Sequence, residues 1–276
     1  MQILKIKHKI GLNGLQKKEK LECRALNSTF GIEVLNHIDL RSIGNNTINE
    51  LKSLLKENGV LVLRSHPIVS KKEQLHLTSY FGISNSQIDY ISAHAKPIKQ
   101  ANSNNTYISS PIWHNTHSNF KNPSHLSFFQ MPHLPKGKWQ SYFISLLHLY
   151  EKLDKDTKKQ LNELKVMYHN SDTIHSLLWL HPFVGRPCIY FDFRFASEVY
   201  NICTETGHVL LKDFNDVFVL MDKIFNQHPE HIYKHNWNKG DIVIVDNYAI
   251  AQRESFCDLE ETNTFLRRTT TEGIYF

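Results

Sequence analysis

The last hundred residues constrain the fold most. "PCIYFDF", "GDIVIVDNYAIAQ" and "FLRRTTTEGIYF" are short apolar runs broken by polar turn residues, and each reads as strand. Between the first two, "HVLLKDFNDVFVLMDKIFNQH" is predicted as helix. Upstream, "NTINELKSLLKENG" sets Ile48, Leu51, Leu54 and Leu55 at helical spacing and ends on Gly59. "VLVLRS" follows as a buried strand. "SKKEQLHLTSYFG" follows as a second helix, capped by Ser70 and stopped by Gly82. "HLSFFQM" is predicted as strand, and "YFISLLHLYEKLDKDTKKQLNEL" as helix bent near Lys152 to Asp156. "QILKIKHKI" alternates as an edge strand. Strands and helices do not alternate regularly, which argues against a doubly wound parallel sheet. The pattern fits an α+β chain, an antiparallel sandwich or barrel of the jelly-roll type with flanking helices.

At 276 residues and 41% hydrophobic content, the chain can build one large core. A single domain over residues 1–276 is expected, with an N-terminal strand or arm over 1–28. Residues 84–125 are rich in Asn, Ser and His and lack periodicity. A loop of that length points to an active-site region. The net charge of +5 is spread over scattered lysines with no basic stripe, so no nucleic-acid partner is expected. No apolar run reaches the ~20 residues of a membrane span, so no membrane partner is expected either. The cysteines Cys23, Cys188, Cys203 and Cys257 form no CxxC pair and read as reduced, mostly buried thiols of a cytoplasmic protein. Nothing in its spacing singles out Cys257 as a nucleophile.

The stretch "WHNTHSNF" places His114 and His117 three apart in an aromatic, turn-like setting, the look of half a metal site. Around it, "GVLVLRSHPIVSKKEQLHLTSYFG", "WHNTHSNFKNP", "LPKGKWQSYF", "HPFVGRPCIYFDF" and "WNKGDIVIVDNYAIAQ" occur in order. Together they resemble the taurine dioxygenase-like (TauD/TfdA) family of iron(II)/2-oxoglutarate-dependent oxygenases over roughly residues 30–273. The resemblance implies a double-stranded β-helix, that is, a jelly-roll barrel. It also implies iron(II) held by two histidines and a carboxylate, with positions open for 2-oxoglutarate and oxygen.

The residues depart from that pattern. His114 stands at the first histidine. Two residues on, at the carboxylate, stands Thr116; alternatively, an extra residue in the loop puts His117 there, which would need a bulge or turn. Gln252 stands at the second histidine, and Thr264 at the arginine that clamps 2-oxoglutarate. Arg268 aligns with the family's second arginine, with equal claims to capture an anion or to form a structural ion pair. Arg267 would face the other side of the strand. Ser141 corresponds to the hydroxyl that helps hold 2-oxoglutarate. His125 and His169 are candidate extra ligands. Tyr107, Trp113 and Trp139 read as core or rim packing around the substrate region, and His181 and Pro182 as turn supports. Asp246 and Asn247 would fix the turn that aims Gln252.

Two functions are expected from these residues. In the first, a repurposed barrel binds or transforms a small polar, acid-bearing metabolite with no standard cofactor. There His114 or Gln252 acts in the pocket, His114 as a general base, while Arg268, Ser141, Thr116, Thr264 and Tyr107 line the substrate site. In the alternative, an atypical oxidoreductase of small-molecule biosynthesis uses iron(II) and 2-oxoglutarate, with His114, His117 and Gln252 as metal ligands.

Overall fold

The structure is a computed structural model that describes residues 20–92, 98–99, 107–108, 112–134, 139–169, 174–203, 206–255 and 265–273. The N-terminal strand expected over "QILKIKHKI" lies outside these residues, as do Thr264 and Cys257.

The chain opens with β1 (Cys23–Ala25) and β2 (Ile32–Val34), then α1 (Asn45–Asn58), β3 (Val60–Leu63) and α2 (Lys71–Ser79). Helix α1 stops where Gly59 turns left-handed at φ 71°, as its sequence predicts. Helix α2 starts on a capping box in which Ser70 and Glu73 satisfy each other's backbone N–H. It ends at Ser79 rather than at Gly82, because Tyr80 already closes the last turn with its N–H on Leu77 and Thr78.

Residues 84–125, expected as loop, contain β4 (Asp89–Ser92), β5 (Ile98–Lys99) and β6 (Tyr107–Ile108). Next come β7 (Leu126–Gln130), β8 (Gln140–Ser145), α3 (Leu146–Lys152), α4 (Lys155–Glu163) and β9 (Leu164–Tyr168). The helix predicted from Tyr142 therefore starts late: Tyr142 to Ser145 belong to β8. Ser145 then caps α3 by accepting from the His148 N–H. The expected bend falls at Leu153, and Asp154 caps α4.

The remaining elements are β10 (Ile174–Ser176), β11 (Leu178–Leu180), β12 (Pro187–Ile189), β13 (Ala196–Ile202), β14 (Val209–Lys212) and α5 (Phe214–Asn226). A 3₁₀ turn (Pro229–His231) leads to β15 (Ile232–Asn236), β16 (Ile242–Asp246), β17 (Ile250–Ser255) and β18 (Phe265–Thr270). The long helix predicted from His208 is thus a strand and a shorter helix, divided by Asp213, which caps α5. "PCIYFDF" is strand only through Ile189, and "GDIVIVDNYAIAQ" is two strands hinged at Asp246 and Asn247.

The largest sheet has seven strands in the order β1-β2-β3-β16-β7-β18-β4, antiparallel except for the β2–β3 pair. A three-stranded sheet, β15-β8-β17, and a four-stranded one, β10-β9-β13-β14, accompany it, with two short two-stranded pairs. These ladders make a mixed α/β architecture, and among the described residues they remain separate sheets. In the seven-stranded sheet the central strands are buried on both sides. Val60, Val62, Val243 and Val245 face one core with Phe143, Ile144 and Phe191. Leu61, Leu63, Ile242 and Ile244 face a second core with Leu51 and Leu55 of α1 and Leu77 of α2. This explains why these runs are continuously apolar rather than alternating. Each such side chain contributes roughly 1.5–3 kcal/mol by leaving water. Trp113 and Trp139 are core residues, and Cys188 is fully buried, whereas Cys23 and Cys203 are only partly so. Among the described residues no helix is long and apolar enough to cross a membrane.

The turn into β16 is one of the tight points of the frame. Gly240 sits at φ 85°, where an added Cβ would lie 2.1 Å from the His66 carbonyl oxygen. Gly240→Ala is expected to cost about 3 kcal/mol, combining left-handed strain with a backbone clash. A chemical-denaturation midpoint measured against the wild type checks this.

Candidate functional site

The site forms where the chain from Ile112 meets β17. His114 and Gln252 make an isolated antiparallel bridge: the His114 N–H donates to the Gln252 carbonyl at 3.1 Å, and the Gln252 N–H to the His114 carbonyl at 2.9 Å. Asn115 holds this contact in place. Its Nδ2 donates to the carbonyls of Asn247 and Ile250, its backbone N–H to Phe191, and its Oδ1 accepts from the Phe191 N–H. At the other end of the hinge, Asp246 Oδ1 accepts from the Tyr248 N–H, and Asn247 bonds Ser127 and Ser124. These local bonds aim β17, and with it Gln252, at His114.

Thr116 faces this pair. Gln252 Nε2 donates to Thr116 Oγ1 at 3.0 Å and lies 3.5 Å from His114 Nε2. His114 donates from Nδ1 to the Ile112 carbonyl at 2.9 Å, which leaves Nε2 as the lone pair facing the amide. All three side chains are buried. Burial, reinforced by the positive charge of Arg194, lowers the His114 pKa to about 3, so the ring is neutral.

His117 points to a different set of partners. The loop turns over residues 116–119 with His117 left-handed at φ 60°. Its Nδ1 meets Ser124 Oγ at 2.9 Å, its ring stacks on Phe120, and its Nε2 accepts from Arg268 Nη2 at 3.0 Å. Burial, followed by the charge of Arg268, brings its pKa down to about 4.

Arg268 is already paired. Its Nε and Nη2 donate to Asp89 Oδ2 at 3.0 and 2.7 Å across the β18–β4 ladder, where the two residues are register partners. Its Nη1 is turned toward Thr116 Oγ1 at 3.5 Å. Arg267 faces the helix side, buried against Gln74, Gln130 and the Val69 carbonyl. Ser141 lies on β8 opposite Glu254, and its Oγ accepts from Trp237 Nε1 at 2.8 Å. Neither His125 nor His169 hydrogen bonds His114, Thr116 or Gln252. His169 pairs through its backbone with Phe195, and His125 stands 3.6 Å from Asp246. His181 Nε2 donates to the same Asp246 carboxylate at 3.1 Å. Burial alone would raise Asp246, but the two imidazoles outweigh it and hold the carboxyl well below the usual range. The side chain of Tyr107 and all of Thr264 lie outside the described residues.

Sequence reasoning missed three acids and one arginine. Asp192 grips Arg194 through Nε at 2.8 Å and Nη2 at 2.7 Å. The carboxylate outweighs the burial that opposes the guanidinium charge and holds its pKa up. Glu254 lies two residues past Gln252, on the same face of β17. Burial raises its pKa, and Arg194 and Arg268 only partly offset that. The third acid is Asp89. One signal was available: a charged pair inside the aromatic run "FDFRF" demands a buried partner.

His114, Thr116 and Gln252 are not by themselves the two imidazoles and carboxylate of an iron(II) triad. The cluster offers one imidazole, one neutral hydroxyl and one neutral amide, with no anionic ligand. The second imidazole, His117, has its lone pair on a guanidinium, so a cation placed there would meet a fixed positive charge. Among the described residues, the only three-ligand group of His, Cys, Asp or Glu is His228, Glu230 and His231, and it includes neither His114 nor His117.

The fold and the sequence together place the chain in a known family. Residues 22–270 match the family model "Taurine catabolism dioxygenase TauD, TfdA family", and the chain belongs to that family. It is 24% identical to an alpha-ketoglutarate-dependent 2,4-dichlorophenoxyacetate dioxygenase of Cupriavidus pinatubonensis, covering 84% of this chain and 92% of that protein. It is 20% identical to an alpha-ketoglutarate-dependent sulfonate dioxygenase of Saccharomyces cerevisiae, covering 88% of this chain and 64% of that protein. Its fold matches a taurine dioxygenase from Burkholderia xenovorans, with TM-score 0.72, 17% identity and 92% of each chain covered. It matches equally AAD-2 in complex with Mn(II) and N-oxalylglycine, with TM-score 0.72, 18% identity, and 92% and 98% covered.

The two histidines set a pH dependence. Both are neutral in the fold, whereas an unfolded histidine titrates near 6.5. Below about pH 6.5 the unfolded chain gains protons that the fold refuses, so stability falls as pH drops toward about 4. Urea midpoints at pH 7, 5 and 4 are expected to decline, with a shallower decline for His117→Gln.

Proposed function

We propose that this chain keeps the jelly-roll frame of its family and uses the former metal position to bind a small polar metabolite, without iron(II) and 2-oxoglutarate chemistry. The observation that carries this reading is the closed cluster of Thr116, Gln252 and His114, in which the groups at the family's ligand positions hydrogen bond one another. A ligand would meet neutral donors and acceptors there, with the Nη1 edge of Arg268 as the docking point for an acidic group.

His114 serves this role as a hydrogen-bond acceptor rather than as a strong general base. A ring whose conjugate acid titrates near pH 3 is neutral at working pH but provides little driving force for proton removal. This revises the base role expected from the sequence. Ser141, committed to Trp237, contributes shape more than a free hydroxyl.

The second reading is an oxygenase with a remodelled metal site. Family membership favours it, since the named relatives are alpha-ketoglutarate-dependent dioxygenases. Anaerobic iron(II) titration of wild type and His114→Ala, with 2-oxoglutarate decarboxylation assayed in air, separates the two. The repurposed reading expects no iron that depends on His114 and no decarboxylation. Stoichiometric iron lost on His114→Ala would overturn it. Thr116→Asp combined with Gln252→His restores a carboxylate and a second imidazole, and is expected to gain iron affinity by at least roughly 100-fold, beyond the ~10–100-fold that supporting contacts alone control.

A further inference from the structure

The connection between α5 and β15 reads His228–Pro229–Glu230–His231. Pro229 opens the 3₁₀ turn, where its fixed φ is already suited to the geometry. With three residues per turn, side chains at i and i+3 eclipse, which brings His228 over His231. Their ring centroids are 5.6 Å apart. Glu230 reaches between them: its Oε1 lies 3.2 Å from His228 Nδ1 and 3.5 Å from His231 Nε2. The three ligand atoms all lie within 4.8 Å of one another.

These separations have a chemical meaning. In a tetrahedral site with metal–ligand bonds of about 2.0–2.1 Å, neighbouring ligand atoms stand roughly 3.4 Å apart. Both edges through Glu230 already have that length. Glu230 is anionic at neutral pH, since its own backbone N–H and then His228 hold its carboxyl below the usual range. The base of the group is fixed and its mouth is open. The His231 side chain is 14% exposed and its carbonyl accepts from Asn27 Nδ2, whereas Glu230 is 60% exposed. Among the described residues His231 Nδ1 is buried with no hydrogen-bond partner, so the ring's polar engagement there lies on the Nε2 side that faces the group.

We propose that His228 Nδ1, Glu230 Oε1 and His231 Nε2 bind one divalent transition-metal ion of the zinc(II) class, with the fourth position left to water. Two imidazoles and a carboxylate suit such an ion, and the donor set lacks the many oxygens that calcium requires. The ion ties the end of α5 to the start of β15, which pairs with β8, and β8 pairs with the β17 strand that carries Gln252. Loading therefore stiffens the sheet behind the His114 cluster without contributing to it.

The test is equilibrium dialysis of the untagged full chain against micromolar zinc(II), followed by thermal melts. Wild type and His114→Ala are expected to hold one equivalent and to melt higher with zinc than without. His228→Ala combined with His231→Ala should lose that equivalent and the shift. The exposed Glu230→Gln, which spares the fold, should weaken binding by roughly 100-fold, since a direct ligand outweighs the ~10–100-fold effect of supporting contacts. Undiminished uptake by the double variant, no uptake by wild type, or an equivalent that vanishes in His114→Ala overturns the assignment.

Discussion

The reciprocal backbone bridge between His114 and Gln252 is the contact on which the site depends. It joins segments 138 residues apart and fixes the distance between the His114 side chain and that of Gln252 on β17. Asn115 and the Asp246–Asn247 hinge exist, in physical terms, to satisfy the backbone groups that this crossing leaves without ladder partners. Once the bridge forms, Thr116 has one place to go, and the amide of Gln252 meets its hydroxyl.

Charge governs the ground around that contact. Arg268 and Arg194 are each matched by an aspartate of the same chain, Asp89 and Asp192. Such pairs do little for net stability, because desolvation cancels much of the attraction, but removing one partner leaves a costly buried charge. Their effect on the site is positional. They hold charged groups beside His114 and His117, and the guanidinium charges add to the burial that depresses both rings. The same chain carries its two-histidine, one-glutamate group on the turn that enters β15, the strand across β8 from β17.

How much of this was legible follows from the range of the interactions. "VLVL" and "IVIVD" could be read as buried strands because both faces of the central strands are apolar and the runs are continuous. Helix α1 was legible from the spacing of Ile48, Leu51 and Leu55. "YFIS" and "HVLLK" were misread as helix because each abuts a true helix with no Gly or Pro between, so the periodicity blurs across the boundary. The positions of His114, Thr116 and Gln252 were legible through resemblance. That Thr116 rather than His117 faces Gln252 was not, because it turns on one left-handed residue. The Asp89–Arg268 pair, 179 residues apart, has no local signature at all.

That left-handed residue carries a cost of its own. A non-glycine side chain at φ 60° forfeits about 1–3 kcal/mol that a glycine would recover. At position 117 the chain accepts this loss, and the imidazole reaches Arg268, Ser124 and Phe120. Residue 117 is therefore a point of tension between backbone conformation and side-chain contacts. Glycine there would relieve the backbone, and it would also remove the ring that joins Arg268, Ser124 and Phe120.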